Sequence, residues 1–387
     1  MPTVPHLHHD FETRSAIELK ERGLYHYARD ASTDVWCMAW AIGNMDPKIW
    51  VPGEPMPAPV LDHLAAGYPV WAHNAAFEYE IWNNILVPRY GIPALPLEQV
   101  FCTMVMGYAM GLPGALEDVA YALGLRMQKD TVGRAKMLRM SRPRNRKTMT
   151  WWDDPADQRI LHEYCKQDVR VEREVHDRIL PLSDRERAVY LADRRINLRG
   201  VRVDMASARG AVQMAEAMKT HYDAEIARIT GGRVATVNSL IPFKEWLVEH
   251  GVCAPKPPWR DDAPDEAPSL AKMDLEELLE RPDLPSIVRE ALIVRQEGAR
   301  ASTAKFNVIV NQADAEDRVH NIYQYHAAHT GRWGGRGIQT HNLPRDMPKK
   351  DVIALVHELV RTGDYRAMDM LYGPPLQMVS RCLRSFF

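Results

Sequence analysis

Strand-like and helix-like segments alternate along the chain as far as Leu182, and this alternation limits the fold more than any other feature. TVPHLHHDFET, VWCMAWAIG, KIWVPG and YPVWAHN are rich in β-branched and aromatic residues and are bounded by Gly, Pro, Asn and Asp, as strands are. AAFEYEIWNNIL, LEDVAYALGL and DPADQRILHEYCKQDVRVEREVHDRIL read as helices. The last has a clear start, with Asp154 as N-cap and Pro155 in the first turn. Strands first and strand–helix units afterwards predict an α/β fold, a mixed sheet with flanking helices. With 387 residues the chain can form two or more domains. Beyond Leu182 long helical segments take over, beginning with SDRERAVYLADRRINLRGVRVD. Within them VCAPKPPWRDDAPDEAPS reads as an exposed connection rich in Pro and Asp.

Several function classes are disfavoured at this point. No apolar run approaches the roughly 18 residues that span a bilayer, and MPTVPHLHHD lacks the basic-then-apolar pattern of a signal peptide. Cys37, Cys102, Cys165, Cys253 and Cys382 show no paired spacing, which points away from a zinc site or a disulfide framework and toward a reducing cytoplasm. The net charge of −2 hides a local basic stretch, GRAKMLRMSRPRNRKTMTWW, which reads either as a solvated loop or as a rail for a polyanion backbone.

Acidic residues stand at three places where charge needs a reason. In HLHHDFETRS, Asp10 and Glu12 project from one face of an extended strand, and two acids side by side call for a cation or a basic neighbour. In the long helix, Ile160, Tyr164, Asp168, Val171, Val175 and Ile179 follow at steps of three or four and define the expected buried stripe. Asp168 in that stripe must be neutralised, paired in a salt bridge to a strand, or bound to a cation. Tyr164 precedes it by one turn and reaches the same point. Between these places Glu78 falls in the first turn of a helix beginning near Ala75, where the helix dipole alone would favour an acid. A strand pair, a strand-end acid and an inward helix acid together can gather four carboxylates around two divalent cations, an arrangement suited to in-line attack on a phosphodiester.

DFET, HNAAFE and YCKQD in this order resemble the motifs of DEDD-type 3′→5′ exonucleases of the tyrosine subclass, and specifically the proofreading domain of family A DNA polymerases of bacteriophage style. The resemblance implies a ribonuclease H-like domain over residues 1–182. It implies Asp10, Glu12, Glu78 and Asp168 as ligands of two Mg2+ or Mn2+ ions, with Glu78 standing where the family usually has Asp. Tyr164 would orient the attacking water and Glu12 would also hold it. Asn74 and Phe77 would meet the nucleic acid. Trp71, Trp151 and Trp152 are further candidates for stacking on bases, though such residues are more often core. His6 and His8 share the strand face of Asp10 and read as flanking core histidines rather than ligands.

RRINLRGVRVD, VNSLIPFKEWLVEHG, ALIVRQEGARASTAKF and HTGRWGGRGIQTHNLPR resemble, in order, the mainly helical thumb and early palm of the same polymerases, over residues 183–387. In the last of them Thr330, Gly331, Arg332, Asn342, Leu343 and Pro344 fit the family pattern, while His341 departs from the usual Gln. The resemblance implies Arg332 and Arg336 as phosphate contacts and Gln339 and Asn342 as minor-groove contacts. The bland reading is a Gly-rich surface loop. The polymerising aspartates and the nucleotide-binding lysine helix do not follow, so no polymerisation is expected from this chain alone. The apolar pair Phe386-Phe387 reads as needing a strand or a partner to cover it. The expected partners are DNA with a single-stranded 3′ end or a primer–template, and a separate carboxy-terminal polymerase chain. The expected compartment is a bacterial host cytoplasm.

Overall fold

The structure is a computed structural model and describes residues 5–125, 130–254, 266, 268–270, 272–298, 303–328 and 330–387. Most of the expected Pro- and Asp-rich connection lies outside the described residues. The chain divides into two units, Met1–Arg202 with Asn311–His341, and Val203–Val310 with Asn342–Phe387.

The first unit carries β1 (Leu7–Arg14), α1 (Leu19–Arg29), β2 (Asp34–Ile42), β3 (Lys48–Trp50), α2 (Ala58–Ala65) and β4 (Val70–Ala72). It continues through α3 (Ala75–Ile81), a π-helical turn at Trp82–Leu86, α4 (Val87–Tyr90), β5 (Val100–Cys102), α5 (Thr103–Ala109), α6 (Leu116–Ala122), α7 (Thr131–Met140), α8 (Pro155–His176) and α9 (Asp184–Arg199). The five strands form one mixed sheet in the order β3-β2-β1-β4-β5. β1 is central, antiparallel to β2 and parallel to β4. Asp10 lies opposite Ala39 and Glu12 opposite Cys37, and the register shifts between Glu12 and Thr13. Such an irregularity re-aims side chains locally.

β1 is covered on both sides. Leu7, Phe11, Met38 and Trp40 join the larger core with Trp82 and Ile81. Cys37, Ala39 and Ala41 turn the other way and meet Cys165 and Val169 of α8. These small side chains let the helix lie close to the sheet. α8 starts as expected, with Asp154 accepting from the Ala156 N–H at 2.7 Å and Pro155 in its first turn. Its buried face differs from the expected stripe. Leu161, Cys165 and Val169 run down the middle with Val171, Val175 and Ile179, whereas Ile160, Tyr164 and Asp168 are only half-buried. The close approach at Cys165 moves Tyr164 and Asp168 from the centre of the interface to its rim.

Two small antiparallel pairings complete this unit, β6 (Val201–Arg202) with β7 (Arg318–Val319) and β8 (Tyr323–Gln324) with β9 (Gly334–Gly335).

The second unit is helical, with α10 (Met205–Ile229), α11 (Leu240–Glu249), α12 (Lys272–Glu280), α13 (Ser286–Gly298), most of α14 (Thr303–Gln312), α15 (Lys350–Thr362), α16 (Tyr365–Tyr372) and α17 (Pro375–Cys382). α10 presents Ala211, Met214, Met218, Tyr222 and Ile226 as one buried stripe and packs on α13 and α15. A Cβ on Gly210 would stand 2.3 Å from the Val360 carbonyl oxygen, so glycine is what allows α10 and α15 to approach so closely. Phe386 is covered within this unit by Phe306 and His357, with ring centroids 5.8 and 5.1 Å away, so the expected need for an outside cover does not hold for it. Among the described residues, no helix is long and apolar enough to cross a membrane.

Candidate active site

The acidic residues singled out in the sequence converge where β1, α3 and α8 meet. β1 carries Asp10 and Glu12 on the side facing α8, and the ligand-capable atoms of Asp10, Glu12 and Cys165 all lie within 4.8 Å of one another. The Cys165 thiol packs on the Asp10 carbonyl and carboxylate at 3.4 and 3.5 Å. Its pKa is raised by burial and by Cys37, so it stays a neutral thiol.

Glu78 enters from the sheet end. Asn74, in the left-handed conformation with φ of 59°, turns the chain from β4 into α3, and Glu78 then stands in the first turn. The Phe11 backbone N–H donates to its carboxylate. Its Oε2 is buried and has no hydrogen-bond partner among the described residues. A buried carboxylate oxygen without a partner is unfavourable by about 1–3 kcal/mol or more.

Electrostatics tie the group together. Burial, then Asp168, raises the pKa of Asp10 well above the usual carboxylate range. Burial, then Asp10, does the same for Glu12 and for Glu78, and Asp168 and Glu78 also act on Glu12. Asp168 is pushed up to about 7, chiefly by burial, with Asp130 and Glu117 adding repulsion while the Tyr164 hydroxyl opposes it by donating to the carboxylate. Tyr164 itself is raised by burial and then by Asp168, Glu12 and Asp10, so its hydroxyl keeps its proton. Four carboxylates in mutual repulsion fit divalent cations, because only an added positive charge lets them ionise together. The unpartnered Glu78 Oε2 supports the same fit. The donors are oxygens, the set that Mg2+ and Mn2+ prefer.

The cluster opens onto a cavity of about 640 Å³ lined by Tyr164, Gln167 and Asp168 of α8, Asp130, Arg134 and Met137 of the α7 region, and Glu117 and Asp118 of α6. Asp10, Glu12 and Glu78 do not line it. Sequence reading missed the part played by α7. Asp130 caps that helix by accepting from Gly133 N–H at 2.7 Å. A Cβ on Gly133 would fall 2.6 Å from Tyr164 Cδ2 and 2.3 Å from Asp130 Oδ2, so glycine there lets α7 press against the tyrosine. The visible signal was a glycine three residues after an Asp at a helix start.

Other expected residues divide. Asn74, Phe77 and Arg336 line one cavity of about 300 Å³ together with Arg194 and Tyr323. Arg332 and Gln339 are exposed and do not line it, and Asn342 belongs to the second unit. Trp71 is core, buried against Phe101 and His176 with centroids 4.7 and 4.3 Å away, and is not a stacking platform. Trp151 and Trp152 are half-buried beneath Arg14 and Arg139. Much of the basic stretch is engaged: Lys136 with Asp157, Arg142 and Arg146 with Glu18 at 3.2 and 2.9 Å, and Arg134 with Glu117 at 3.7 Å. Its first part is α7 rather than a loop.

Over nearly its whole length the chain is similar in sequence to a phage DNA polymerase, the resemblance expected from its motifs. This relative is the DNA polymerase of Bacillus phage SP02, 31% identical over 391 aligned residues that cover 98% of this chain and 57% of that protein. The chain therefore spans a little over half the length of this relative. Among solved structures it is similar in fold to the POL domain of Pol1 from M. smegmatis in complex with DNA primer-template and dNTP. That likeness has a TM-score of 0.51 and 14% identity, and covers 91% of this chain and 54% of the other. No protein-family model matches the chain.

Proposed function

We propose that residues 1–182 form a ribonuclease H-like 3′→5′ exonuclease of the proofreading type, and that residues 183–387 are the thumb and the start of the palm of a family A DNA polymerase. The observation that carries the first part is the gathering of the buried, mutually repelling acids Asp10, Glu12, Glu78 and Asp168, with an oxygen of Glu78 unpartnered among the described residues. These four would hold two divalent ions, Mg2+ or Mn2+. When bound, the ions supply the positive charge that water activation and departure of the 3′ oxygen require.

The chain's own groups have separate tasks. Tyr164, whose protonated hydroxyl donates to Asp168, accepts a hydrogen bond from the attacking water and so orients it. Glu12 holds the same water and accepts its proton as the new P–O bond forms and the P–O3′ bond breaks. Arg134, on the cavity wall, attracts the phosphate. Asn74, Phe77 and Arg336 receive the strand leading to the 3′ end, and Arg332, Gln339 and Asn342 contact duplex DNA.

A second reading, a DNA-holding and assembly role without cleavage, is favoured by a sequence match to a DNA polymerase that covers 98% of this chain. One experiment separates the two. A 5′-labelled oligonucleotide incubated with Mg2+ or Mn2+ yields a ladder shortened from the 3′ end, absent with EDTA and absent in Asp10→Ala and Asp168→Ala. Binding of primer–template without a ladder, from folded parent protein, refutes the exonuclease and leaves the assembly chain.

A further inference from the structure

At the other end of β1, on the face that carries Asp10 and Glu12, the side chains change from carboxylates to imidazoles. His6 and His8 stand two residues apart, and α8 brings up His176, the last residue of that helix. One ligand-capable nitrogen of each ring lies within 4.8 Å of those of the other two. The rings meet edge to face, with centroids 5.0 Å apart for His6 and His176 and 5.1 Å for His8 and His176.

Two carboxylates orient these rings from outside. Glu172 Oε2 lies 2.5 Å from His8 Nδ1, and Asp177 Oδ1 lies 3.2 Å from His176 Nδ1. With Nδ1 engaged on both rings, Nε2 of each is the nitrogen that presents a lone pair. A carboxylate behind an imidazole is the usual support of a metal-bound histidine, fixing its tautomer and raising its basicity. Trp71 closes one side, 5.2 Å from His6 and 4.3 Å from His176 between centroids. The His176 side chain keeps 16% exposure and leaves a way in from solvent.

We propose that His6, His8 and His176 form a binding site for a transition-metal dication of the Zn2+ class, distinct from the carboxylate cluster. Three neutral nitrogens select Zn2+, Co2+ or Ni2+ over Mg2+, which takes oxygen ligands. Tetrahedral coordination needs ligand nitrogens about 3.4 Å apart, from Zn–N bonds of about 2.0–2.1 Å, so the present spacing of up to 4.8 Å closes on binding. The ion fastens the start of β1 to the end of α8, the two elements that carry Asp10, Glu12, Tyr164 and Asp168.

The test uses the full chain, stripped with EDTA and returned to excess Mg2+ so that the carboxylates are satisfied. Co2+ is then titrated as a visible-absorbing stand-in for Zn2+, and melting is followed with and without Zn2+. The expected result is one equivalent of Co2+ taken up with the spectrum of nitrogen ligation, and a rise in melting temperature with Zn2+. Both are lost in His6→Gln and in His176→Gln, and both are kept in Asp10→Asn. Each histidine variant should melt in EDTA as the parent does. The proposal is overturned if the parent takes up no stoichiometric Co2+ under excess Mg2+. It is equally overturned if the histidine variants keep the uptake, or if Asp10→Asn alone removes it.

Discussion

Removing the charge of Asp168 should make the metal-free protein more stable, and the gain should depend on pH in a defined direction. Its carboxyl is pushed up to about 7 from an ordinary 3.8, mainly by burial, against the donated hydrogen bond from Tyr164. A folded-state pKa above the unfolded one means that the native state binds the proton more tightly between those values. The native state therefore has its full share of stability below pH 4 and loses it progressively as the pH rises through 7. The gap between 3.8 and about 7 corresponds to about 4 kcal/mol at pH 8 and above. Asp168→Asn keeps an oxygen to accept from Tyr164 and never ionises. In EDTA at pH 8 it should be more stable than the parent by up to about 4 kcal/mol, with the advantage shrinking to near zero at pH 4. Mg2+ should close the gap at pH 8 by stabilising the parent more than the variant. Urea unfolding followed by tryptophan fluorescence, run in EDTA and in Mg2+ across this range, reads all three quantities. An advantage that is the same at pH 4 and pH 8, or a variant less stable than the parent at pH 8 in EDTA, would refute the argument.

Other substitutions probe neighbouring parts. Gly133→Ala places a methyl against Tyr164 and the Asp130 cap; thermal melting should show destabilisation of about 1–3 kcal/mol, and an unchanged melt would mean that the close approach is not needed. Tyr164→Phe should slow single-turnover cleavage about 10²-fold at saturating Mg2+ while the protein stays folded, and a variant with the parent's rate would remove the tyrosine from the mechanism. Arg336→Ala should weaken DNA binding similarly for all sequences and reduce the slope of log K against log salt by about 1, measured by fluorescence anisotropy; an unaltered slope would take Arg336 off the backbone.

What could be read from the sequence follows from how strongly each residue declares its surroundings. The strands β1 and β2 and the helix α8 were legible because length, apolar content and caps agree along each of them. β5, three residues long, and the short helices α4 and α5 were not, because so few residues carry no period. The buried face of α8 was misjudged for a specific reason. Following apolar residues leads from Asp168 to Val171, which is buried, and passes over Glu172, which is 3% exposed and turned toward His8 of β1. A polar residue buried against other polar residues leaves no trace in a hydrophobic pattern. The same blindness hid His176, which a sequence reading has no cause to connect with His6.

The row of α8 that meets the acidic side of β1 follows a simple geometric rule. Along β1 and the residue before it, one face presents Glu12, Asp10, His8 and His6 at steps of two, and α8 presents Tyr164, Asp168, Glu172 and His176 at steps of four. Two residues of strand rise about 6.6 Å and four residues of helix rise about 6.0 Å, so the two series stay in step over this distance. The observed partners follow the match: Glu12 acts on Tyr164, Asp168 acts on Asp10, His8 bonds to Glu172, and His6 meets His176. Strand and helix thus run in opposite directions with every rung polar, which a hydrophobic core would not select. The rungs are graded, two of carboxylate and phenol at one end and two of imidazole with a supporting carboxylate at the other. A one-residue slip of β1 would turn all four of its side chains to the opposite face and break every rung at once. The bulge between Glu12 and Thr13 falls just past the last rung, where the strand no longer needs to keep step.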